Sequence, residues 1–203
     1  MKKQRFEITR EKFFDTQERN KIIEVSKQKA KQDQEAGRIT WPVRWMLVHL
    51  AFYSGLRVAE IADLNISDLF LDVTAPYIKV TNGKGNKARI VYIDSDLTSH
   101  LKEFTKGRSS KDPLFMCTFN SEGKKYTTTT LHRSFKKAIQ EAGLRDNLTI
   151  HSCRHTYATM LLEKTNNMRY VQKQLGHSSM NITALYADIL PEKNGILANM
   201  ILD

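Results

Sequence analysis

The sequence has 203 residues, 40% hydrophobic and 27% charged, which is typical of one soluble globular domain or of a domain with a tail. Its 32 lysines and arginines outnumber its 22 aspartates and glutamates, and the net charge of +10 favours a polyanionic partner such as nucleic acid over a merely basic soluble protein. Two cysteines without metal-ligand spacing, Cys117 and Cys153, disfavour a disulfide scaffold and a zinc site. No apolar run reaches the ~20 residues that span a bilayer and no signal-peptide pattern is seen, so we expect a cytoplasmic protein.

The first third of the chain predicts helices. Residues 9–30 carry apolar positions among charges, as in one or two helices with an apolar face, and 27–40 reads as a solvated helix end and loop. Residues 41–54 are apolar nearly all round, which predicts a buried helix that Gly55 ends. A second, shorter helix is predicted over 57–64.

The middle of the chain predicts strands. Residues 77–81 and 89–93 are rich in β-branched and aromatic residues, and the glycine-containing segment 82–87 between them predicts a β-hairpin. We expect a helix over 96–106 and a short strand over 114–119. From residue 127 the pattern is helical, with breaks at 143, 147–149, 176 and 191. The fold class is therefore α+β, mainly α-helical, with a small antiparallel sheet or hairpin and a C-terminal helix.

Two basic residues in the first half are candidates for an anion site. Arg57 follows a glycine break at a helix start, with Glu60 three residues on and on the same face; a surface ion pair is the alternative. Lys84 lies at the predicted hairpin tip between two glycines, where the backbone can approach a partner closely; taken alone, a solvated turn lysine is the favoured interpretation.

Further candidates follow in the C-terminal half. His151 and Arg154 fall at i and i+3 on one helix face, which suits proton transfer beside a guanidinium fork for phosphate. We expect the adjacent His155 to pack or hydrogen-bond structurally. His177 follows a glycine helix stop, and Tyr186 lies nine residues after it; a lone tyrosine is usually a packing residue and needs cationic neighbours to act as a nucleophile.

Taken together, these motifs resemble the tyrosine recombinase family of phage integrases and Xer-type resolving enzymes. The matching text is GLRVAE, GKGNKAR, HSCRHTYAT and LGHSSMNITALYAD. The family pattern is an arginine in GLR-x-x-E, a hairpin lysine, His-x-x-Arg, Leu-Gly-His and a tyrosine a short helix later. The resemblance covers about residues 8–188, and each motif position is matched here.

The resemblance implies a mechanism of DNA cleavage and rejoining through a 3′-phosphotyrosine. Tyr186 would be the nucleophile, and Arg57 and Arg154 would clamp the non-bridging phosphate oxygens. Lys84 would be the general acid and His151 the general base. His177 would donate to a non-bridging oxygen, and Glu60 would orient the cluster. No metal, cofactor or ATP is implied, in keeping with the absence of a phosphate-binding GxxxxGK[ST] loop.

It also implies partners and an organisation. Residues 1–190 would form the catalytic domain and 191–203 a C-terminal tail helix that either packs on its own domain or is exchanged between protomers. Family members usually carry an N-terminal core-binding domain that clamps DNA, which this sequence is expected to lack. The partner would be double-stranded DNA, bound by a homotetramer that is a monomer without DNA, with an accessory excisionase and no membrane.

Several functions fit this pattern. The first is site-specific integration or excision for a phage or mobile element, with Xer-type chromosome dimer resolution as an alternative role of the same chemistry. A type IB topoisomerase would relax DNA as a monomer, and a general nuclease would leave free ends without a protein adduct. A non-catalytic DNA-binding module would keep the fold without the reaction.

Overall fold

The computed structural model of the protein describes residues 10–81, 88–117, 123–177 and 179–187. Most of these residues are helical, and the strands of a small sheet lie between the third and the fourth α-helix along the chain. The α-helices are α1 Thr16–Glu35, α2 Thr40–Ser54, α3 Val58–Asp63, α4 Ser95–Thr105, α5 Thr128–Glu141, α6 Ile150–Thr165, α7 Met168–Leu175 and α8 Met180–Ala187. Within the described ranges, no helix combines the length and the apolar character needed to cross a membrane.

The first two helices begin and end as their sequences dictate. A capping box starts α1: Oδ1 of Asp15 accepts from the Glu18 amide at 2.8 Å, and the Asp15 amide donates to the Glu18 carboxylate at 3.0 Å. The predicted polar segment 27–40 proves to be the second half of α1 and a short loop. It is not wholly solvated, because Asp33 is buried and accepts from the Trp41 amide at 2.9 Å.

The sheet has three antiparallel strands in the order β1 Leu69–Phe70, β2 Tyr77–Val80 and β3 Arg89–Tyr92. In the pairing of the last two strands, Val80 lies opposite Arg89. The predicted pair of strands is confirmed. The tip of the predicted hairpin, residues 82–87, lies outside the described residues.

The core is built around α2, as its continuous apolar sequence predicts. This helix buries Leu47, Val48 and Leu50 and packs against α1, α4, α5 and α6. A second apolar cluster unites α6, α7 and α8 with the N-terminal Phe13. Its members are Phe13, Ala158, Leu162, Val171, Leu175 and Tyr186. This cluster fixes the C-terminal helices against the rest of the domain.

Two predictions of secondary structure are wrong: a strand that does not form and a helix break that was not predicted. The expected strand over 114–119 does not form in its described part, because Pro113 and Met116 pair at single bridges with different partners, Asn65 and Lys125, so that no ladder develops. The helical run after 150 also breaks at Asn166, which adopts the left-handed conformation at φ 47°. Asparagine tolerates that conformation better than most residues, and this position escaped the sequence-based prediction.

Candidate active site

The C-terminal end of α7 binds the side chains of three arginines from distant parts of the chain. Nε of Arg89 donates to the Gln174 carbonyl at 3.1 Å, and Nη2 of Arg154 donates to the Leu175 carbonyl at 2.7 Å. Nη2 of Arg57 donates to the next carbonyl, that of Gly176, at 3.3 Å. The last carbonyls of a helix lack intrahelical donors and carry the negative end of its dipole, so this end gathers cations.

Arg57 precedes the first residue of α3 and is held by Glu60. The Glu60 carboxylate accepts from the Arg57 backbone amide at 2.8 Å and from its Nη1 at 2.9 Å. Burial alone would raise the pKa of Glu60, but the hydrogen bonds and charge of Arg89, with a smaller contribution from Arg57, lower it to about 2. Glu60 is therefore a carboxylate at neutral pH. Since the Arg57 side chain keeps about a quarter of its surface exposed, it remains open to a ligand.

Arg154 is almost fully buried on α6. Besides the Leu175 carbonyl, its guanidinium binds the carbonyl of Gly55 at the end of α2. Burial, reinforced by the nearby charge of Arg57, lowers the pKa of Arg154 to about 9, so the side chain keeps its positive charge at pH 7. Two guanidiniums are thus fixed side by side, with N–H groups left over for an anionic ligand.

His177 lies directly after the glycine that ends α7. Gly176 has φ +63°, and the reversal it makes brings the His177 ring to Thr183 of α8, where Nδ1 and the hydroxyl are 3.0 Å apart. Burial, followed by the charge of Arg154, lowers the pKa of His177 to about 3. The imidazole is therefore neutral. When the Thr183 hydroxyl donates to Nδ1, the proton lies on Nε2, which can then donate to a ligand.

The Tyr186 side chain is buried, in contact with His177 and His155. Its ring stacks on that of His177, with centroids 6.0 Å apart and an interplanar angle of 9°. Its hydroxyl lies 2.9 Å from Nδ1 of His155. Burial raises the pKa of Tyr186, and the charges of Arg154 and Arg57 act in the opposite direction.

Of the two α6 histidines near Arg154, His155 and not His151 contacts Tyr186. His151 is exposed at the start of α6 and its ring lies 5.7 Å from that of His132, whereas His155 makes the hydrogen bond to Tyr186. Although the residue is exposed as a whole, partial desolvation of its ring, followed by the charges of His132, Arg154 and Arg57, lowers the pKa of His151. Sequence reasoning treated His155 as structural; its position one turn from His151 on the same helix was the available signal.

One predicted site residue cannot be placed. Lys84 lies outside the described residues, in the segment between β2 and β3. The described part of the sheet nevertheless contributes Arg89, which sequence reasoning did not select, and whose Nη1 and Nη2 donate to the two oxygens of Glu60 at 2.7 and 2.9 Å.

The arrangement combines fixed cations, neutral imidazoles and a phenol. Such a set can hold an anionic group against a hydroxyl nucleophile and stabilise further charge that develops on it. Among the described residues, no group of three or more histidine, cysteine, aspartate or glutamate side chains is arranged to hold a metal ion.

Known proteins are similar in sequence to this chain over most of its length. The model of the phage integrase family matches residues 12–193. A tyrosine recombinase of Pseudothermotoga lettingae is 32% identical over 160 residues, which are 78% of this chain and 54% of that protein. Tyrosine recombinase XerC of Leptospira interrogans is 34% identical over 151 residues, 72% of this chain and 47% of that protein. The chain thus spans about half the length of these relatives.

Solved structures share the fold. The crystal structure of XerA recombinase superposes with a TM-score of 0.70 at 26% identity, covering 93% of this chain and 63% of that one. That of XerH site-specific recombinase bound to difH substrate, a pre-cleavage complex, gives a TM-score of 0.73 at 24% identity and covers 100% of this chain and 57% of that one. With the site geometry, the family match and the fold in agreement, the chain belongs to the phage integrase family, the tyrosine recombinases.

Proposed function

We propose that this chain is the catalytic part of a site-specific DNA recombinase that cleaves and rejoins DNA through a 3′-phosphotyrosine at Tyr186. One observation carries the proposal. Arg57 and Arg154, from separate helices, bind the successive carbonyls of Gly176 and Leu175, and the next residue, His177, stacks on the Tyr186 ring. An anion-binding cluster therefore borders the phenol.

Each residue has a role in this proposal. The free N–H groups of Arg57 and Arg154 bind the non-bridging oxygens of the scissile phosphate, for which guanidinium geometry suits better than an ammonium. Neutral His177 donates to one of these oxygens, and Glu60 orients Arg57. His151 accepts the phenol proton and Lys84 protonates the leaving 5′-oxygen. The Tyr186 hydroxyl is hydrogen-bonded to His155, and this bond must break before the hydroxyl can reach phosphorus.

The reaction conserves the energy of the broken bond. Attack of the Tyr186 oxygen on phosphorus forms a phosphotyrosine ester as the bond to the 5′-oxygen breaks, and that oxygen takes a proton. A 5′-hydroxyl then reverses the step, so rejoining needs no ATP. The proposal includes no metal or cofactor, because the cationic side chains supply the charge stabilisation.

Double-stranded DNA is the proposed partner. The excess of 10 positive charges supports it, and so do solved structures that share the fold: XerH bound to difH substrate and the Tn1549 transposon integrase in complex with transposon right end DNA. We further propose residues 1–190 as the catalytic domain, 191–203 as a tail that packs in its own protomer or in a neighbour, and a homotetramer on DNA. Size-exclusion chromatography with and without residues 191–203 tests the tail.

Covalent capture tests the reaction. Protein incubated with sheared genomic DNA of its source is denatured in detergent, the protein-linked DNA is recovered and sequenced, and the modified peptide is identified by mass spectrometry. We expect DNA on Tyr186. Tyr186→Phe should lose the adduct while retaining DNA in a filter-binding assay, whereas Tyr77→Phe, on the sheet, should form it normally. Adducts that persist in Tyr186→Phe would disprove the assigned nucleophile.

The sequences recovered in this way also distinguish the biological roles. We propose integration or excision of a phage or mobile element, supported by the matched phage integrase family. Chromosome dimer resolution is the second candidate, supported by relatives named XerC and XerA. Adducts at the ends of an element and its insertion site support the first role, and adducts at a single chromosomal locus support the second. Relaxation of plasmid DNA without strand exchange would indicate a topoisomerase.

A further inference from the structure

Arg89, the first residue of β3, ends the matched segment GKGNKAR but is given no role by the motif pattern, yet it contacts two parts of the site. Its side chain is largely buried, with 11% of its surface exposed, against a Glu60 side chain with 4% exposed. The two groups form a bidentate pair, with Nη1 and Nη2 each on a different carboxylate oxygen at 2.7 and 2.9 Å. This geometry uses the guanidinium fork fully.

The Glu60 carboxylate links Arg89 to Arg57, because both arginines bind it. Both Glu60 oxygens that Arg89 binds are shared with Arg57: Oε1 with its Nη1 and Oε2 with its backbone amide. A carboxylate held from one side by Arg89 cannot rotate away from Arg57 without breaking two charge-assisted hydrogen bonds. The position of the Arg57 guanidinium therefore depends on Arg89.

A second set of contacts joins Arg89 to the end of α7. Nε donates to the Gln174 carbonyl at 3.1 Å. A Cβ on Gly176 would lie 2.8 Å from Cδ and 2.9 Å from Nε of Arg89, so this side chain fills the space that the glycine leaves. The Gln174 side chain adds two bonds to the backbone of Tyr92, at 3.1 and 3.3 Å, so that the strand and the helix end are tied at two points.

We propose that Arg89 is a positioning residue for DNA cleavage, which fixes Arg57 through Glu60 and fixes the Gly176–His177 turn through α7. It reaches no reacting atom itself. Lysine cannot replace it, because an ammonium offers one centre of charge and cannot bind both oxygens of Glu60 while also holding the Gln174 carbonyl. The inference rests on the proposed recombinase function and deepens it.

The test compares Arg89→Lys with the wild type on a nicked duplex built from the sequence that covalent capture recovers. Single-turnover rates of adduct formation are measured at saturating DNA, alongside DNA affinity and thermal stability. Arg108→Lys is the matched control, since Arg108 is another part-buried arginine that binds backbone carbonyls, those of Pro113 and Leu114, away from the site. We expect Arg89→Lys to lower the rate between about tenfold and a hundredfold with unchanged affinity. Arg108→Lys should not lower it.

A modified substrate separates positioning from general damage to the fold. A methylphosphonate at the scissile position replaces one non-bridging oxygen with a methyl group and removes the charge that the arginine clamp must balance. On this substrate, Arg89→Lys should come within about threefold of the wild type, because less depends on the placement of Arg57. A deficit of the same size on both substrates would overturn the proposal, as would a rate on ordinary phosphate equal to that of the wild type.

A double-mutant cycle tests the path through Glu60. If Arg89 acts on Arg57 through this carboxylate, then Arg89→Lys should cost much less in a Glu60→Gln background than alone, and full additivity would contradict the path. Failure of the recombinase function itself is distinguishable, because the wild-type protein would then form no adduct on any substrate.

Discussion

The hydroxyl of Tyr186 lies 2.9 Å from Nδ1 of His155, one residue beyond Arg154 on the same helix. Burial, with a contribution from Arg154, lowers the pKa of His155 to about 4, so the imidazole is neutral at pH 7 and can accept this hydrogen bond. The Tyr186 hydroxyl thus bonds to a neutral acceptor, while Arg57 and Arg154 bind the end of α7.

The ionisation of Tyr186 follows from this environment. Burial raises the pKa of the phenol above its ordinary value of 10.0, and Arg154 and Arg57 only partly oppose the rise. In a protein with ¹³C-labelled tyrosine, we expect the Tyr186 ring signal, assigned by its loss in Tyr186→Phe, to titrate above pH 10. A transition at or below pH 10 would show that the arginines outweigh the burial.

Thr183 should control the tautomer of His177. Its hydroxyl is buried and lies 3.0 Å from Nδ1 of that histidine. Thr183→Val keeps the shape and removes the hydroxyl, so we expect adduct formation to slow by about tenfold at unchanged DNA affinity. Thr98→Val is the matched control, because Thr98 is also buried and its hydroxyl donates to the carbonyl of Asp94, the residue before α4. Equal rates for Thr183→Val and the wild type would contradict the assignment.

Gly55 is required by both its backbone and its surroundings. Its φ is +61°, and a Cβ there would lie 2.4 Å from Cδ1 of Tyr157 and 2.8 Å from Cδ2 of Leu175. We expect Gly55→Ala to lower the free energy of unfolding by about 3 kcal/mol, the sum of left-handed strain and overpacking. Gly37→Ala, with φ +66° and nothing within 4 Å of the added carbon, should cost about 1 kcal/mol from strain alone. Urea unfolding measures both, and equal losses would disprove the packing contribution.

Sequence alone predicted those features of the fold and site that depend on residues close together in the chain or on a jointly recognisable set of motifs. Helix α2 was predicted from an unbroken apolar run. Strands β2 and β3 were predicted from their β-branched residues and from the glycine-containing segment 82–87 between them. The motif residues were selected together by resemblance, and the structure brings the described ones, except the exposed His151, together at the end of α7. These are local or jointly recognisable patterns.

The contacts between distant segments were not predictable in this way. Nothing in the composition of β3 indicates that Arg89 reaches Glu60, because a bidentate pair depends on how a strand and a helix meet in space. His155 was assigned a structural role because only the fold brings Tyr186 to its Nδ1. The two-residue strand β1 is too short to show alternation and was therefore not predictable from its residues.

Acid should destabilise the protein through a histidine pair in the core. Nδ1 of His49 and Nδ1 of His100 are 2.8 Å apart, and both rings stack on Trp45. Burial lowers the pKa of each to about 4 from the ordinary 6.5. The unfolded chain therefore binds more protons between these values, so stability is complete above about pH 6.5 and is lost progressively as the pH falls towards about 4.

Urea unfolding between pH 7.5 and 4.5 checks this prediction. We expect the midpoint to fall with pH in the wild type and to fall less steeply in His100→Asn, which removes one of the two titrating rings and leaves an amide that can still hydrogen-bond to His49. An identical pH dependence in the two proteins would show that the pair contributes nothing to acid sensitivity.

Three arginine side chains depend for their position on the same short helix, because each binds a carbonyl at the end of α7. Because Arg89, Arg154 and Arg57 are attached to adjoining backbone oxygens, a small tilt of its last turn would displace all of them together. A shift of this turn should therefore change the placement of all three guanidiniums in the same step and not that of any one alone.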